Sequence, residues 1–302
     1  MIQDAATIWK FRYFWLSLVK MDLMARYRKS VLGIFWSLLH PVAMTAIYCL
    51  VFHKLMGGDW DSYAKYLMSG IAVYGFLKEC ATGGCHTLTR HEGYIRQTPL
   101  PYTVYSLRVM LSNAVHFLIT LAVVVLLVGV LPPANPPGAN AATPREVAVN
   151  GPPADQSATD RSPPTGVVDS LTRGDWAVFG RMWTVLPAVG MTMLCGWALA
   201  TVTGFATVYF HDIAHLLELF AQFLFFVTPI MWYQHKVVAP EHGWLVEFNP
   251  AAAFIDLFRM PLVYAQPPTV MSIGVAVTFT AGMVVLAGVM VSRLSKRVIF
   301  QL

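Results

Sequence analysis

The feature that most constrains this chain is a long apolar stretch that directly follows a basic cluster. The stretch covers residues 33–55 and carries no charge before Lys54. A helix of about 20 residues crosses the ~30 Å hydrocarbon core of a bilayer. The cations in front of it are Arg26, Arg28 and Lys29, and anionic membrane lipid attracts each such charge by about 1 kcal/mol. The long segment before the stretch and the lack of a small-residue cleavage site argue against a signal peptide. We therefore predict a retained membrane anchor.

Composition extends this prediction to the whole chain. Hydrophobic residues make up 56% of the sequence and charged residues 12%, whereas a soluble domain has about 25% charged residues. The net charge of +5 does not indicate nucleic-acid binding, because the basic residues lie beside apolar stretches. We predict one all-α membrane domain over residues 1–302 with six transmembrane helices. The predicted spans are 33–55, 66–88, 102–131 (with a start at 102 or 104), 182–209, 214–233 and 270–291.

Two segments outside the spans have compositions of their own. Residues 1–30 carry apolar residues at helical spacing with interleaved cations, which is typical of an amphipathic helix in the membrane interface. Residues 132–175 are rich in Pro, Ala, Gly, Asn and Asp, so we predict a mostly disordered insert. The N-terminal segment, the loop at 89–101 and the tail hold eleven Lys and Arg, against six in the opposite segments. The positive-inside rule then places both termini in the cytoplasm and the insert outside.

The sequence shows no motif of an enzyme or a metal site. It contains no G-x-x-x-x-G-K-[ST] phosphate-binding loop, no H-E-x-x-H and no G-x-S-x-G. The spacing of Cys80, Cys85 and His86 fits no zinc pattern, and the four cysteines are expected to be buried free thiols. We therefore expect no catalytic residue and no metal ligand in this chain.

Charged and aromatic residues within the spans are candidates for the lining of a transport path. Lys78 and Glu79 are neighbours in the second span, and a charge at bilayer depth costs ~2.5–3.5 kcal/mol on insertion scales. Both residues therefore face a water-accessible path or a subunit seam, or else extend to the interface. Sugar rings stack on aromatic faces, although aromatic residues also serve ordinary packing. The candidate lining residues are Lys78, Glu79, Tyr48, Phe52, Tyr74, Trp197 and Phe205.

Three stretches carry motifs that go beyond composition. They are Arg26-Tyr27-Arg28-Lys29-Ser30-Val31-Leu32-Gly33 with Phe35-Trp36 and Pro41; Ile95-Arg96-Gln97-Thr98-Pro99-Leu100-Pro101 with Tyr105 and Arg108; and Phe225-Phe226-Val227-Thr228-Pro229-Ile230-Met231 with Phe248-Asn249-Pro250 and Phe254-Ile255-Asp256-Leu257-Phe258-Arg259. In this order, over about four fifths of the chain, they resemble the ABC-2-type permeases that export polysaccharides and polyol phosphates, namely O-antigen, capsule and teichoic acid exporters. The long insert at 132–175 departs from that pattern and weakens any inference about the substrate.

The resemblance implies a multi-pass permease subunit of the bacterial inner membrane. Such a subunit forms a homodimer with two copies of a separate ATPase, and that ATPase binds the ATP and Mg. The dimer moves a lipid-linked polysaccharide, or a related polyol-phosphate polymer, outward from the cytoplasmic side. Three alternatives stay open: an ABC-2 permease for a drug or a lipid, a membrane enzyme acting on lipid-linked sugars, and a structural scaffold.

The resemblance also implies roles for individual residues. The amphipathic helix and the turns near 90–101 and 210–214 would contact the ATPase. The Thr-Pro break after the fifth span, together with external hairpin helices before the sixth, would form an outer gate. The ATPase-contact candidates are Arg26, Arg28, Lys29, Arg96, His211 and Asp212, and the gate candidates are Phe226, Thr228, Pro229, Asn249 and Arg259.

Overall fold

The structure is a computed structural model that describes most of the chain outside the predicted insert. The described residues are 12–27, 33–56, 60–91, 93, 95, 101–130, 177–237 and 242–298. The predicted insert at 132–175 lies outside them, and so do Arg28, Lys29 and Arg96.

The described residues form helices and connecting turns, without a β-strand. The helices are α1 (Arg12–Tyr27), α2 (Trp36–Met56), α3 (Trp60–Cys85), α4 (Thr87–Arg90), α5 (Tyr102–Val130), α6 (Ala177–Tyr209), α7 (Ile213–Val227), α8 (Gln234–Val237), α9 (Trp244–Glu247), α10 (Pro250–Val263) and α11 (Val270–Val298), with a 3-10 turn at Gly33–Phe35.

Four helices are long and apolar enough to cross a membrane, namely α2, α5, α6 and α11. They coincide with the first, third, fourth and sixth predicted spans, and they indicate a multi-pass membrane protein. The second predicted span falls on α3, which has 26 residues but also the charges of Lys65, Lys78 and Glu79. The fifth falls on α7, which is apolar but has only 15 residues. Six spans therefore stay a prediction, of which four are confirmed by length and composition.

The centre of the bundle is the contact between α3 and α6. α3 also packs against α2, α5 and α10, and α6 also packs against α11. At Gly84 of α3, an added Cβ would lie 2.6 Å from Ala200 Cα and 2.7 Å from Ala200 O of α6. Membrane helices commonly meet through such small residues, because these allow the two backbones to approach closely.

Helix α10 lies inside the bundle, although the sequence analysis treated residues 234–268 as an external connection. It packs against α3, α6 and α11, and Phe254, Ile255 and Phe258 are buried. The Asn249 side chain caps its start by accepting hydrogen bonds from the N–H groups of Ala251 and Ala252. The helix is buried because most of its residues are apolar on every side, which a polar external hairpin would not be.

Part of the predicted amphipathic helix at residues 1–30 is described, and it forms helix α1. Leu18 and Val19 are buried, and α1 packs against α5. A second set of apolar residues, Tyr13, Leu16, Met21 and Met24, is exposed. The helix therefore has one apolar face on the bundle and further apolar surface open to lipid or to another chain.

Candidate functional site

A partly open cavity of about 830 Å³ lies between α2, α3, α5 and α7. Its lining includes the candidates Lys78 and Glu79, together with the aromatic candidates Tyr48 and Tyr74. The cavity also has polar lining residues that the sequence analysis did not assign to a transport path. These are Ser37, His40, Thr82, Asn113, His116, Thr120, Glu218 and Gln222.

Aromatic rings from three helices meet at this cavity. The Phe225 ring of α7 lies 6.2 Å from the Tyr48 ring of α2 and 5.6 Å from the Tyr74 ring of α3, measured between centroids. The Tyr74 hydroxyl donates a hydrogen bond to the Ala221 carbonyl oxygen, which fixes α3 against α7. The cavity therefore presents aromatic faces held in place by packing and by a buried hydrogen bond.

The charged groups of the cavity are available to a ligand. The side chains of Lys78, Glu79 and Glu218 are exposed, and none forms an ion pair with another residue in the part of the chain that the structure describes. Across the cavity, Ser37 Oγ of α2 and His116 Nδ1 of α5 form a hydrogen bond of 2.8 Å. The lining thus combines one cation and two carboxylates with neutral hydrogen-bonding groups and aromatic rings.

Three lining candidates lie away from the cavity. Phe52 belongs to a separate cluster around Tyr63, Tyr66 and Leu67. Trp197 donates its indole N–H to the Thr103 carbonyl oxygen at 3.1 Å. Phe205 is buried near the start of α5, where its ring lies 5.8 Å from that of Tyr102. In this structure all three make packing contacts between helices.

The sequence carried a signal for the polar lining residues of α5. Asn113, His116 and Thr120 recur at three- and four-residue spacing, which places them on one face of a helix. They were overlooked because the third span reads as a continuous apolar segment that needs no further explanation.

Four of the five outer-gate candidates form one hydrogen-bonded junction, named here the outer junction and made of Thr228, Pro229, Asn249, Arg259 and Tyr66. Helix α7 ends at Val227, and the Thr228 hydroxyl donates to the Leu224 carbonyl oxygen at 2.7 Å. Asn249 Nδ2 donates to Thr228 Oγ1 at 3.0 Å. The cap of α10 is therefore tied directly to the end of α7. The fifth candidate, Phe226, is 56% exposed and lines the cavity instead.

Arg259 is the centre of the outer junction. It is 3% exposed, and it donates from Nη1 to the Pro229 carbonyl oxygen at 2.9 Å and from Nη2 to the Tyr66 carbonyl oxygen at 3.2 Å. Its guanidinium carbon lies 3.6 Å from the centroid of the Tyr66 ring, which is a cation–π contact. At Gly70, an added Cβ would lie 2.7 Å from Arg259 Nη2, so only glycine leaves room for this arrangement.

We expect Asn249→Ala and Asn249→Asp to separate the two roles of this side chain. Alanine removes both the cap of α10 and the link to Thr228, and loss of a cap costs about 0.5–2 kcal/mol of stability. Aspartate keeps an acceptor for the N–H groups of Ala251 and Ala252, but it cannot donate to Thr228 Oγ1. Thermal unfolding in detergent should show a lower Tm for Asn249→Ala than for Asn249→Asp. Both variants should lose export, because both lose the hydrogen bond to Thr228. Export by aspartate at the wild-type level would show that the link is dispensable.

The ATPase-contact candidates are only partly described. His211 and Asp212 are exposed in the short turn between α6 and α7, where the Ile213 N–H donates to the Phe210 carbonyl oxygen at 3.1 Å. The backbone of Arg26 lies in α1, and the side chain is outside the described part.

Comparison with known proteins gives relatives of one kind. No protein-family model matches the chain. Two O-antigen export system permease proteins RfbA of Klebsiella pneumoniae are 22% and 21% identical to it over 239 residues, which is 79% of this chain and 75% of each relative. The O-antigen export system permease protein RfbA of Myxococcus xanthus is 24% identical over 127 residues, 42% of this chain and 49% of the relative. These similarities confirm the resemblance seen in the motifs: over 79% of its length the chain is similar to O-antigen export system permease proteins.

Proposed function

We propose that this chain is the membrane permease subunit of an ATP-driven exporter that moves a lipid-linked polysaccharide across the bacterial inner membrane. The observation that carries the proposal is the similarity to O-antigen export permeases over 79% of the chain. The relatives are named as permeases, so we assign no catalytic site to this chain and place the ATP and Mg on a separate ATPase subunit. The alternative cargoes, a drug or a lipid, are not favoured by these names.

The proposed architecture has six spans with both termini in the cytoplasm. α3 supplies the second span, since 26 residues at ~1.5 Å per residue exceed the thickness of the hydrocarbon core. α7 supplies most of the fifth, and the buried residues Thr228, Pro229 and Ile230 continue it. The short helices α8 and α9 and the buried helix α10 lie between the fifth and sixth spans, where the family has its external hairpin helices.

The proposed functional unit is a homodimer with two ATPase copies, and the surface beside the cavity supports it. On α7, Leu216, Leu219, Phe220, Phe223 and Phe226 are exposed and recur at helical spacing. This apolar face borders the open side of the cavity, because Phe226 belongs to both. A second copy placed there would close two such cavities into one conduit.

The lining of the cavity suits a glycan. Hydroxyl groups of a sugar can bond to Gln222, Asn113 and His116, and the C–H faces of its rings can stack on Tyr48 and Tyr74. In the proposed cycle the ATPase moves the cytoplasmic turns, and the outer junction shifts between a closed and an open arrangement in response. This is a two-state hypothesis.

The test of the proposed function is purification of a tagged chain from native membranes under mild detergent, followed by mass identification and an ATPase assay. An ATPase subunit in stoichiometric amount, with vanadate-sensitive hydrolysis and loss of surface polymer on deletion of the chain, is the expected result. Recovery of the chain alone with activity on lipid-linked sugars would favour the enzyme. Recovery alone without any activity would favour a scaffold.

Changing the charges of the cavity should lower export without unfolding the chain. We expect Lys78→Met and Glu79→Gln each to reduce export by about tenfold, because a hydrogen bond to a charged group contributes ~1.5–3 kcal/mol. Surface polymer, normalised to the amount of the chain in the membrane, is the measurement. Lys54→Met is the matched control, since Lys54 is exposed at the end of α2 and is not part of the cavity lining. Wild-type export in both cavity variants would show that the cavity charges do not meet the polymer.

A further inference from the structure

A partly buried ion pair joins the N-terminal helix to the bundle, since the Arg108 side chain is 7% exposed and the Asp22 side chain 35%. Arg108, in the second turn of α5, is 6% exposed. Its Nε and Nη2 donate to the two carboxylate oxygens of Asp22 on α1, a bidentate arrangement that gives strong and directional pairing. Its third nitrogen, Nη1, lies 2.8 Å from Nε2 of His91 in the turn after α4. We name these three residues, Asp22, Arg108 and His91, the cytoplasmic clasp.

The hydrogen bonds of His91 are consistent with one neutral form of its ring. Nδ1 lies 2.7 Å from the Thr87 carbonyl oxygen, and a carbonyl only accepts, so Nδ1 carries the proton. Nε2 then accepts from Arg108 Nη1. Burial lowers the pKa of His91 from its ordinary value of 6.5, and the neighbouring charges of Arg108 and Arg90 act in the same direction, against the Thr87 carbonyl and the Asp22 carboxylate. With this tautomer of His91, each of the three Arg108 nitrogens has an acceptor.

The clasp joins two elements that, by the resemblance to the exporter family, would contact the ATPase. α1 packs against α5. Leu18 and Val19 of α1 are buried, and Asp22 lies one turn after Leu18. The turn that carries His91 leads to Ile95, which is buried in the cluster with Leu88, Tyr105 and Phe205, and then to the candidate Arg96. The two elements therefore reach α5 through the same side chain.

We propose that Arg108 is a positioning residue for transport, which with Asp22 and His91 holds α1 and the turn at 87–95 as one unit so that movement of either is transmitted to α5. This inference rests on the proposed function, since it requires a partner ATPase. A pair of this kind need not add stability, because the desolvation of the buried Arg108 offsets the attraction between the two charges. What the pair supplies is a fixed geometry between three elements.

The test compares the complete complex containing Asp22→Asn or His91→Gln with the wild-type complex. Asparagine keeps the shape of the side chain and removes its charge, and glutamine keeps one donor and one acceptor. Four quantities are measured: the chain in the membrane, the ATPase subunit recovered with it, ATP hydrolysis and polymer export. Lys20→Gln is the control for Asp22, because Lys20 is exposed on the same helix. His86→Gln is the control for His91, because His86 is exposed in the turn before α4.

The expected result is a loss of export without an equal loss of assembly or hydrolysis. The amount of ATP hydrolysed per polymer exported should rise by about fivefold or more, which is within the range of typical coupling factors. The amount of the chain in the membrane and the amount of ATPase subunit recovered with it should stay within about twofold of wild type. Unchanged export in both variants would overturn the inference, and so would a parallel fall of all four quantities, which is what a merely structural role predicts. If the wild-type chain recovers no ATPase subunit, the proposed function fails first, and this inference fails with it.

Discussion

Replacement of Gly84 by alanine is expected to force α3 away from α6. It should destabilise the chain more than a methyl group added at any other position of α3. The added Cβ would clash with Thr203 Oγ1 and would lie 2.6 Å from Ala200 Cα and 2.7 Å from Ala200 O. Two of these three are backbone atoms, which cannot rotate away as the end of a side chain can. Overpacking costs about 1–3 kcal/mol in a well-packed core and occasionally more, so we expect about 3 kcal/mol here, even after the better helix propensity of alanine.

The measurement is the temperature at which the tagged chain leaves the monodisperse peak in detergent. Gly75→Ala is the matched control, because Gly75 lies in the same helix and an added Cβ there meets no atom within 4 Å. Alanine should be neutral or stabilising at that position by up to about 1 kcal/mol, through helix propensity alone. A Gly84→Ala chain as stable as the Gly75→Ala chain would contradict the close contact between α3 and α6.

The spans were predicted best where a helix faces lipid. Four helices are apolar over the thickness of a bilayer, namely α2, α5, α6 and α11. The hydropathy of the sequence predicts this property directly. α3 is harder to recognise from hydropathy because residues 63–70 are all buried in protein, including Lys65 and Ser69. A helix surrounded by other helices can carry polar residues that lipid would exclude. α10 was missed for a different reason. Its 14 residues are too few to cross a bilayer, and only its packing against α3, α6 and α11 shows that it belongs to the core.

The motifs predicted the residues of the outer junction well. The presence of aromatic residues in the spans predicted the lining of the cavity less well. Thr228, Pro229, Asn249 and Arg259 were selected together because their stretches resemble motifs of the exporter family, and the structure brings them into one hydrogen-bonded group. Their partner Tyr66 was not selected, since it lies 193 residues before Arg259 and no local pattern connects them. Trp197 and Phe205 were selected as aromatic residues in spans, but the residue type does not tell which face of a helix turns to a cavity.

The cytoplasmic clasp shows a further limit of the sequence. No sequence pattern singles out Asp22, and Arg108 belongs to a motif without an assigned role. The pair spans 86 residues, and only the packing of α1 on α5 brings the two charges together. The burial of Arg108, which is 6% exposed, explains why the pairing matters. A buried guanidinium without a partner carries a large desolvation cost, whereas a solvated guanidinium does not.

Arg259→Lys is expected to leave the outer junction unable to stay closed, although the positive charge is kept. A lysine ammonium lacks the planar fork that reaches the Pro229 and Tyr66 carbonyl oxygens together, and it stacks less well on the Tyr66 ring. Hydrogen bonds from a charged donor contribute ~1.5–3 kcal/mol each. Loss of one bond and part of the ring contact removes about 3 kcal/mol, which changes the ratio of closed to open arrangements by roughly a hundredfold.

Two measurements follow from a junction that opens too readily. Cells with Arg259→Lys should export much less polymer, and they should admit a small dye that the wild-type inner membrane excludes. Arg293→Lys is the matched control, because Arg293 is exposed on α11, away from the outer junction. Lost export without dye entry would indicate a junction that is misfolded and closed. Normal export without dye entry would show that Arg259 does not hold a gate. Dye entry together with lost export is expected only if Arg259 holds the outer junction closed. An unfolded chain would form no path for the dye, and a chain with an intact junction would exclude it.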